Sequence, residues 1–282
     1  MMFDILPSNP VKPFYDGNTL QILFLAAFLG VLLLMLGSRT DGLQSLAVQC
    51  NVVVMRAVEI ICVLLPLFIF SSLTLMFWET GMQTVLLLWK PLAIYALCAL
   101  GFIVAELAAA SIRLRVSPAL LVCKLWPTFL VGLTTASSSA AMGLELEINE
   151  KKLGIPEEIN KLGVPVGNLL YAGACAASFL VISYYLASTY GVRISAAWYV
   201  VAWLLSCVLA PAVPPISGGP LICVGVLLAQ LGIPMESLAV AATLSMIFDF
   251  VETATRLCGN HLELVMLTDR LGMLDRETLE KP

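Results

Sequence analysis

The residues with the clearest chemical potential lie in one apolar segment near the C-terminus, residues 245–266. The segment is long and apolar enough to cross a bilayer as a helix. Its polar side chains nevertheless include Asp249, Glu252, Thr253, Arg256 and Asn260. At 3.6 residues per turn these positions share one helix face, so the side chains form a stripe. Because a charge at bilayer depth costs at least about 2.5 kcal/mol, the stripe predicts a site for a solute or an ion.

Arg256 is the strongest candidate in this stripe. Its planar guanidinium can hold a carboxylate through two hydrogen bonds and stays charged when desolvated. The alternative is an internal pair with Glu252 one turn away, and with Asp249 further along. That pairing is compatible with function, because a substrate carboxylate can displace a weak internal partner. Asp249 and Glu252 either bind a cation or carry a proton, or they simply neutralise Arg256.

The composition indicates a polytopic membrane protein. Of 282 residues, 60% are hydrophobic and 12% are charged, and the mean hydropathy is +0.96, whereas soluble domains contain about 25% charged residues. The eight cysteines form no Cys-x-x-Cys pair, and the single histidine, His261, cannot make a multi-histidine metal site. With neither a Ser–His pair nor a histidine cluster, we predict no enzyme, no cofactor and no nucleic-acid partner.

The apolar pattern predicts an all-α integral membrane protein. Five segments suit spanning helices, at residues 20–36, about 52–78, 85–112, 162–188 and 238–266. Two further stretches, 118–148 and 196–231, each contain two shorter apolar pieces separated by a polar or Pro/Gly tip. Such pieces are short for a full span and suit re-entrant helical hairpins.

Charge placement predicts that the two hairpins are opposed. Arg113 and Arg115 precede the first stretch, Lys124 lies near its start, and Lys151, Lys152 and Lys161 follow it. The positive-inside rule puts both clusters in the cytoplasm, so this hairpin enters and leaves on that side. The second hairpin then enters from outside, with the N-terminus outside and the C-terminus inside. Two opposed broken hairpins indicate a transporter with an inverted repeat.

Three motifs interrupt the apolar segments. The first tip, TTASSS at 134–139, offers hydroxyls and N–H groups that suit a carboxylate near a helix N-terminus, although a solvated loop reads the same way. The second tip, PPISGG at 214–219, predicts a tight turn with accessible backbone. GVPVGNLLYAG at 163–173 predicts an unwound helix segment with carbonyls available to a cation, or else a packing kink.

At these residues the chain resembles the dicarboxylate/amino acid:cation symporter family, which has the glutamate-transporter-like fold. Five stretches match in order: residues 5–30 (ILPSNPVKPFYDGNTLQILFLAAFLG), TTASSSA at 134–140, GVPVGNLLYAG at 163–173, PPISGGPL at 214–221 and DFVETATRLCGN at 249–260. The resemblance covers essentially the whole of this chain, but it includes only about the C-terminal two-thirds of the family pattern. The family's first three helices therefore have no counterpart in this sequence.

The resemblance implies an elevator-type secondary transporter, a multi-pass protein of the plasma (cytoplasmic) membrane and usually a homotrimer. Its substrate would be a small anion, and its surroundings the lipid bilayer. Residues 1–80 would form a partial scaffold region and residues 81–282 the transport region. Within the latter we expect hairpin 1 (117–149), a broken helix (161–190), hairpin 2 (195–232) and the last helix (236–267).

The resemblance also implies which residues bind. The substrate positions would be Ser137, Ser138, Ser139, Ile216, Ser217, Gly218, Thr253, Arg256 and Asn260. Gly167, Asp249, Glu252 and Asn260 would bind a cation or carry a proton, with a sodium ion or a proton as the coupling ion. At two places this sequence lacks side chains that bind sodium in the family. The family's Asn-Met-Asp-Gly reads Tyr171-Ala172-Gly173-Ala174, and its last-helix aspartate aligns with Leu264.

Thr253 bears on the substrate class. Amino-acid-transporting members of the family place an aspartate there, which pairs with the substrate's amino group, whereas C4-dicarboxylate members have a hydroxyl residue. The resemblance therefore implies symport of a small carboxylate, a dicarboxylate before an amino acid, driven by a cation gradient. The alternative is a truncated or partner-dependent family member without transport activity of its own.

Overall fold

A computed structural model describes residues 9–16, 19–62, 88–213 and 218–281, with isolated positions at 67, 70, 71, 74 and 78. Within these residues the chain forms helices and no strand. It divides into two compact units, Met1–Ile60 and Ile61–Pro282. The all-helical architecture predicted from the apolar pattern is therefore confirmed for the described residues.

The first unit is built from consecutive helices. They are α1 (Lys12–Asp16), α2 (Thr19–Leu36), a 3-10 turn (Gly37–Thr40) and α3 (Asp41–Cys62), whose last two residues lie beyond the unit boundary. Helix α2 coincides with the first predicted span. The apolar stretch nevertheless continues through the 3-10 turn, so that residues Phe24–Cys50 together qualify as one candidate span. Of the second predicted span, about 52–78, residues 52–62 belong to α3, and most of the remainder lies outside the described residues.

The second unit is assembled around one long helix. Its described helices are α4 (Trp89–Leu114), α5 (Pro118–Thr135), α6 (Ser138–Lys151), α7 (Glu157–Leu170), α8 (Gly173–Thr189), α9 (Ala196–Leu209), α10 (Pro220–Gln230), α11 (Leu238–Arg270) and α12 (Arg276–Glu280). Helix α11 has 33 residues and packs against α4, α5, α6, α7, α8 and α10. This central position buries the polar stripe inside the unit.

Serine caps and a left-handed residue define the arms of the predicted hairpins. Ser117 caps α5, with its hydroxyl accepting the Leu120 N–H at 3.2 Å, and Pro118 occupies the first helical position. Ala136 adopts φ +49°, which ends α5, and Ser137 then caps α6. Ser195 caps α9 in the same way through the Trp198 N–H. The helix starts could therefore be predicted from sequence to within a residue or two.

The two ends of each predicted hairpin meet. In hairpin 1, Lys124 near the start of α5 donates to the carbonyl of Lys152, just beyond the end of α6, at 2.8 Å. In hairpin 2, Trp198 Nε1 in the first turn of α9 donates to the carbonyl of Leu231, just beyond α10, at 3.2 Å. Each pair is thus a helical hairpin. Whether either hairpin is re-entrant in a bilayer stays a prediction, because α5 has 18 residues and is itself long and apolar enough to span.

The fourth predicted span is broken where the Pro/Gly pattern indicates. Helix α7 ends at Leu170, α8 begins at Gly173, and Tyr171 and Ala172 have non-helical backbone angles. The Tyr171 N–H returns to the carbonyl of Gly167 at 2.7 Å, which closes the last turn of α7. Of the described residues, five helical segments are long and apolar enough to cross a membrane: Phe24–Cys50, Trp89–Leu114, Pro118–Thr135, Glu157–Thr189 and Met235–Arg270.

The C-terminal segment docks onto the base of hairpin 1. Lys124 Nζ also donates to the carbonyls of Thr278 and Leu279, at 3.1 and 2.6 Å, and Leu279 is buried. A cation is favourable there because carbonyls at helix C-termini carry partial negative charge. Asp275 caps α12, and hydrogen bonds from the Thr278 hydroxyl and from backbone N–H groups hold its pKa below its usual value. Lys124 and the backbone of Lys152, two residues that the charge pattern places on one side of the membrane, therefore lie together at one end of this unit.

Helices α5 and α11 pack closely at Gly132, which gives a stability prediction. A Cβ at Gly132 would lie 2.8 Å from Ala254 Cα and 2.9 Å from Ala254 N, so a side chain would force two backbones apart. We expect Gly132→Ala to destabilise the fold by about 1–3 kcal/mol, the usual cost of overpacking. Gly143→Ala in α6 is the matched control, since nothing lies within 4 Å of its Cβ position. Equal melting temperatures for the two purified variants would contradict the predicted packing.

Candidate functional site

The predicted polar stripe of the last helix faces the interior of the second unit. Asp249, Glu252, Thr253, Arg256 and Asn260 are each at most 5% exposed. Buried charges are tolerated only when they are paired, hydrogen-bonded or bound to an ion. The contacts of each charged group therefore indicate what the site can bind.

Arg256 forms the predicted internal pair with Glu252. Arg256 Nη2 donates to Glu252 Oε1 at 2.9 Å, and Nη1 donates to the backbone carbonyl of Asn168 at 3.3 Å. The second Glu252 oxygen accepts the hydroxyl of Ser178 at 3.2 Å. The Glu252 carboxylate thus contacts one nitrogen of the Arg256 guanidinium, and the Asn168 carbonyl contacts another.

Asp249 contacts the tip of hairpin 2, and its predicted role as a cation or proton site stays a prediction. Its carboxylate accepts the backbone N–H of Gly218 at 2.9 Å, at the tip of hairpin 2. Gly218 has φ +80°, a conformation that favours glycine because a Cβ would be strained there. The structure therefore joins the tip of hairpin 2 to the stripe. Two other predicted tip residues, Ile216 and Ser217, lie outside the described residues.

The serine-rich tip of hairpin 1 is largely engaged in local hydrogen bonds. The hydroxyls of Thr134 and Thr135 return to α5 carbonyls, and Ser137 Oγ accepts the Ala140 N–H at 3.3 Å as the cap of α6. Ser138 is buried in the first turn of α6, and Ser139 follows it. The hydroxyl hydrogen of Ser137 is still able to donate. Substrate binding by Ser137, Ser138 and Ser139 stays a prediction.

Asn260 and Gly167 lie against each other, but their contacts include a residue that the sequence did not single out. Asn260 Nδ2 donates to Glu145 Oε1 and to the Val164 carbonyl, both at 3.2 Å. A Cβ at Gly167 would collide with Asn260 Oδ1, so α7 and α11 need glycine at this crossing. The carbonyl of Gly167, predicted to bind a cation, accepts the Tyr171 N–H.

Glu145, Asn168 and Ser178 were missed by the sequence reasoning. Glu145 is fully buried, and its Oε2 accepts from Asn168 Nδ2 at 2.5 Å. A signal existed for Glu145, because it shares a helical face of α6 with Ala141 and Ile148, which are also buried. Asn168 and Ser178 stand in apolar stretches, and nothing in their spacing separates them from packing residues.

His261 has the packed role that a lone histidine suggests. It is fully buried, and its ring nitrogens lie 2.5 Å from Asn149 Oδ1 and 3.1 Å from Thr128 Oγ1. Asn149 Nδ2 in turn donates to Asn160 Oδ1 at 2.8 Å. The network links α5, α6, α7 and α11 and so fixes the helices that carry the site. Within the described ranges no group of three or more His, Cys, Asp or Glu side chains could hold a metal ion.

An open cavity of about 480 Å³ reaches the site from one side. Gly163, Val166 and Gly167 of α7 line it, as do Asn260 and Glu263 of α11, and Arg113 of α4 also contributes. Asn260 therefore contacts both this cavity and Glu145, which is buried. The Asn260 side chain therefore lies between the cavity, which small molecules or ions can enter, and the buried Glu145 carboxylate.

The arrangement combines a guanidinium with an excess of carboxylates. Among the described buried residues on this face of the unit, Glu145, Asp249 and Glu252 are acidic and Arg256 is basic. Such a set can bind a carboxylate at Arg256 and a cation near the acidic groups. It contains no nucleophile–base pair among those residues.

Comparison with known proteins agrees with this chemistry. The sequence pattern of the sodium:dicarboxylate symporter family matches residues 1–268. The chain belongs to this family. Its members are membrane symporters and not enzymes, which agrees with the five segments of the described residues that are long and apolar enough to span a membrane.

Named relatives are similar over nearly the whole chain. A C4-dicarboxylate transport protein of Paracoccus denitrificans is 22% identical over 281 residues, covering 99% of this chain and 62% of the relative. An L-cystine uptake protein of Bacillus cereus is 22% identical over 98% of this chain and 61% of the relative. A proton/glutamate-aspartate symporter of Bacillus subtilis is 18% identical over 95% of this chain and 64% of the relative. The chain thus spans about three-fifths of the length of these relatives.

Proposed function

We propose that this protein is a secondary transporter of the cytoplasmic membrane that moves a small carboxylate, driven by a cation gradient. The observation that carries the proposal is the buried Arg256, paired with a single carboxylate that a substrate can replace. Arginine recognises carboxylates through two parallel hydrogen bonds, and burial strengthens them. The family and the names of the relatives support transport as the outcome of this binding.

The surroundings of Thr253 favour a dicarboxylate over an amino acid. An ammonium group would need a free carboxylate, and Thr253 supplies only a hydroxyl. The carboxylates one turn away are already engaged, Asp249 with the Gly218 N–H and Glu252 with Arg256 and Ser178. A second substrate carboxylate requires only neutral donors, which the hairpin tips contain.

The balance of buried charge supports coupling to a cation. The described site residues contain three carboxylates and one guanidinium, and a dicarboxylate adds two further negative charges. Removing such an excess from water is very unfavourable unless it is neutralised. Uptake of an anion into this site therefore requires a proton or a metal cation to bind with it.

Transport by the purified full chain in liposomes tests the proposal. We expect labelled succinate to accumulate under an inward sodium or proton gradient and labelled aspartate to accumulate less. Valinomycin with potassium sets the membrane potential, and protein-free liposomes give the background. Accumulation of neither solute under any gradient would contradict the proposal.

The second candidate is a family member that works only with a separate polypeptide. The specific observation in its favour is that the chain spans 62% of the Paracoccus relative. On this alternative the chain alone inserts into liposomes without transporting. The mass of the purified protein–detergent complex tests the proposed homotrimer, and co-purification from the native membrane identifies a partner chain. A trimer that transports alone would exclude this second candidate.

A further inference from the structure

The proposed site leaves the carboxylate of Glu145 without a cation. Glu145 is fully buried, at 0% exposure, between α6, α7 and α11. Its two oxygens accept hydrogen bonds from the neutral amides of Asn168 and Asn260, at 2.5 and 3.2 Å. Within the described part of the chain no basic side chain ion-pairs with it. Buried carboxylates are usually paired with a cation or bound to a metal ion.

Asn168 provides an independent indication of a ligand at this place. The residue is 4% exposed, and its Oδ1 has no hydrogen-bond partner among the described residues. An orphaned buried acceptor costs free energy, and few occur in native proteins. Because the amide nitrogen already faces Glu145, a half-turn of the amide would bring this free oxygen to the carboxylate.

That rotation brings together oxygen atoms that would repel each other unless a cation lay between them. Asn260 has the same capability, since its Nδ2 lies between Glu145 Oε1 and the Val164 carbonyl. We infer that Glu145, Asn168 and Asn260, with the Val164 carbonyl, form a binding site for a monovalent metal cation such as sodium. In the empty site the amide N–H groups face the carboxylate, and in the occupied site the amide oxygens bind the ion.

The donor set fits this class of ion. Hard cations without a preference for sulfur or nitrogen select carboxylate and carbonyl oxygens. One carboxylate combined with neutral oxygens balances a single positive charge, whereas a divalent cation would leave the buried site with a net charge. The cavity lined by Gly167 and Asn260 provides the entry path.

Asn168 connects this ion site to the carboxylate site. Its side chain contacts Glu145, while its backbone carbonyl accepts from Arg256 Nη1 at 3.3 Å. It lies in the last turn of α7, directly before the break at Tyr171 and Ala172. An ion that reorients Asn168 therefore acts on the residue that holds Arg256. The role of the bound cation as the coupling ion rests on the proposed function, whereas the binding of the cation does not.

Sodium-dependent stability of the purified full chain tests the site. We expect the melting temperature to rise saturably with NaCl when choline chloride keeps the ionic strength constant. Glu145→Gln should weaken the apparent sodium affinity at least about tenfold, because the charge is lost and the shape is kept. Glu147→Gln is the matched control, since Glu147 lies on the same helix but is exposed and pairs with Lys151. It should keep the wild-type affinity.

A second variant covers the case in which Glu145→Gln does not fold. Asn168→Asp adds a second carboxylate and should create stabilisation by calcium that the wild type lacks. The site would be overturned if the wild type showed no sodium response, if its response followed pH and not sodium, or if Glu145→Gln kept it. An Asn168→Asp variant with an unchanged ion response would also overturn it.

The proposed ion site and the proposed transport function can be contradicted independently of each other. A sodium response that depends on Glu145, without any solute uptake, would support the ion site and contradict the proposed transport. Uptake that persists while sodium stabilisation is unaffected by Glu145→Gln would contradict the ion site alone.

Discussion

Replacement of Arg256 by glutamine is expected to abolish saturable uptake of the dicarboxylate. The wild-type guanidinium can offer two charge-assisted hydrogen bonds to a carboxylate, each worth about 1.5–3 kcal/mol. Their loss weakens binding at least about 100-fold. Arg256→Lys keeps the charge but not the planar fork, so we expect an intermediate loss. The measurement is the uptake of labelled succinate into liposomes that contain the wild type, Arg256→Gln or Arg256→Lys.

A double variant distinguishes a role of Arg256 in substrate binding from a role in the stability of the fold. Arg256→Gln alone leaves Glu252 buried without its cation, which costs about 3–5 kcal/mol. In Arg256→Gln/Glu252→Gln the buried pair becomes two neutral amides, and the melting temperature should recover. If uptake recovers with it, Arg256 has only a structural role and the proposed substrate contact is wrong.

Replacement of Glu252 by glutamine is expected to increase the stabilisation of the protein by succinate, whereas replacement of Arg256 removes the group that binds it. Without the Glu252 carboxylate, Arg256 is a buried cation that lacks its 2.9 Å partner, and the ligand-free protein should lose about 3–5 kcal/mol of stability. A substrate carboxylate then restores the pairing without having to displace Glu252. We therefore expect succinate to raise the melting temperature of this variant far more than that of the wild type.

Glu236→Gln is the control for this experiment, because Glu236 precedes the same helix but is exposed. Its succinate response should equal that of the wild type. A Glu252→Gln variant that is as stable as the wild type without ligand, or that responds less to succinate, would show that substrate and Glu252 do not compete for Arg256.

Most of the helical architecture could be predicted from the sequence, because it depends on local chemistry. The caps at Ser117, Ser137 and Ser195 begin helices through hydrogen bonds within one turn. Pro165 and the glycines around it predicted the break after Leu170. The boundary proposed between the scaffold and transport regions, and the re-entrant course of the hairpins, stay predictions, since both depend on a bilayer or on a moving state.

The Arg256–Glu252 pair could also be read from spacing, because residues four apart on a helix are neighbours. Contacts between helices could not. The bond from Gly218 to Asp249 joins positions 31 residues apart, and nothing in either local sequence determines that approach. The sequence therefore offered Asp249 only as an ion or proton carrier or as a partner of Arg256, and its hydrogen bond to the tip of hairpin 2 emerges only from the structure.

The sequence alone determined that a membrane protein of helices keeps an arginine and two carboxylates on one face of its last helix. Periodicity and composition suffice for this, since they describe each helix separately. Only the tertiary structure brought Glu145 and Asn168 to that face, at separations of 115 and 88 residues from Asn260 and Arg256. Their burial depends on how α6, α7 and α11 pack, and packing is a property of the assembled helices.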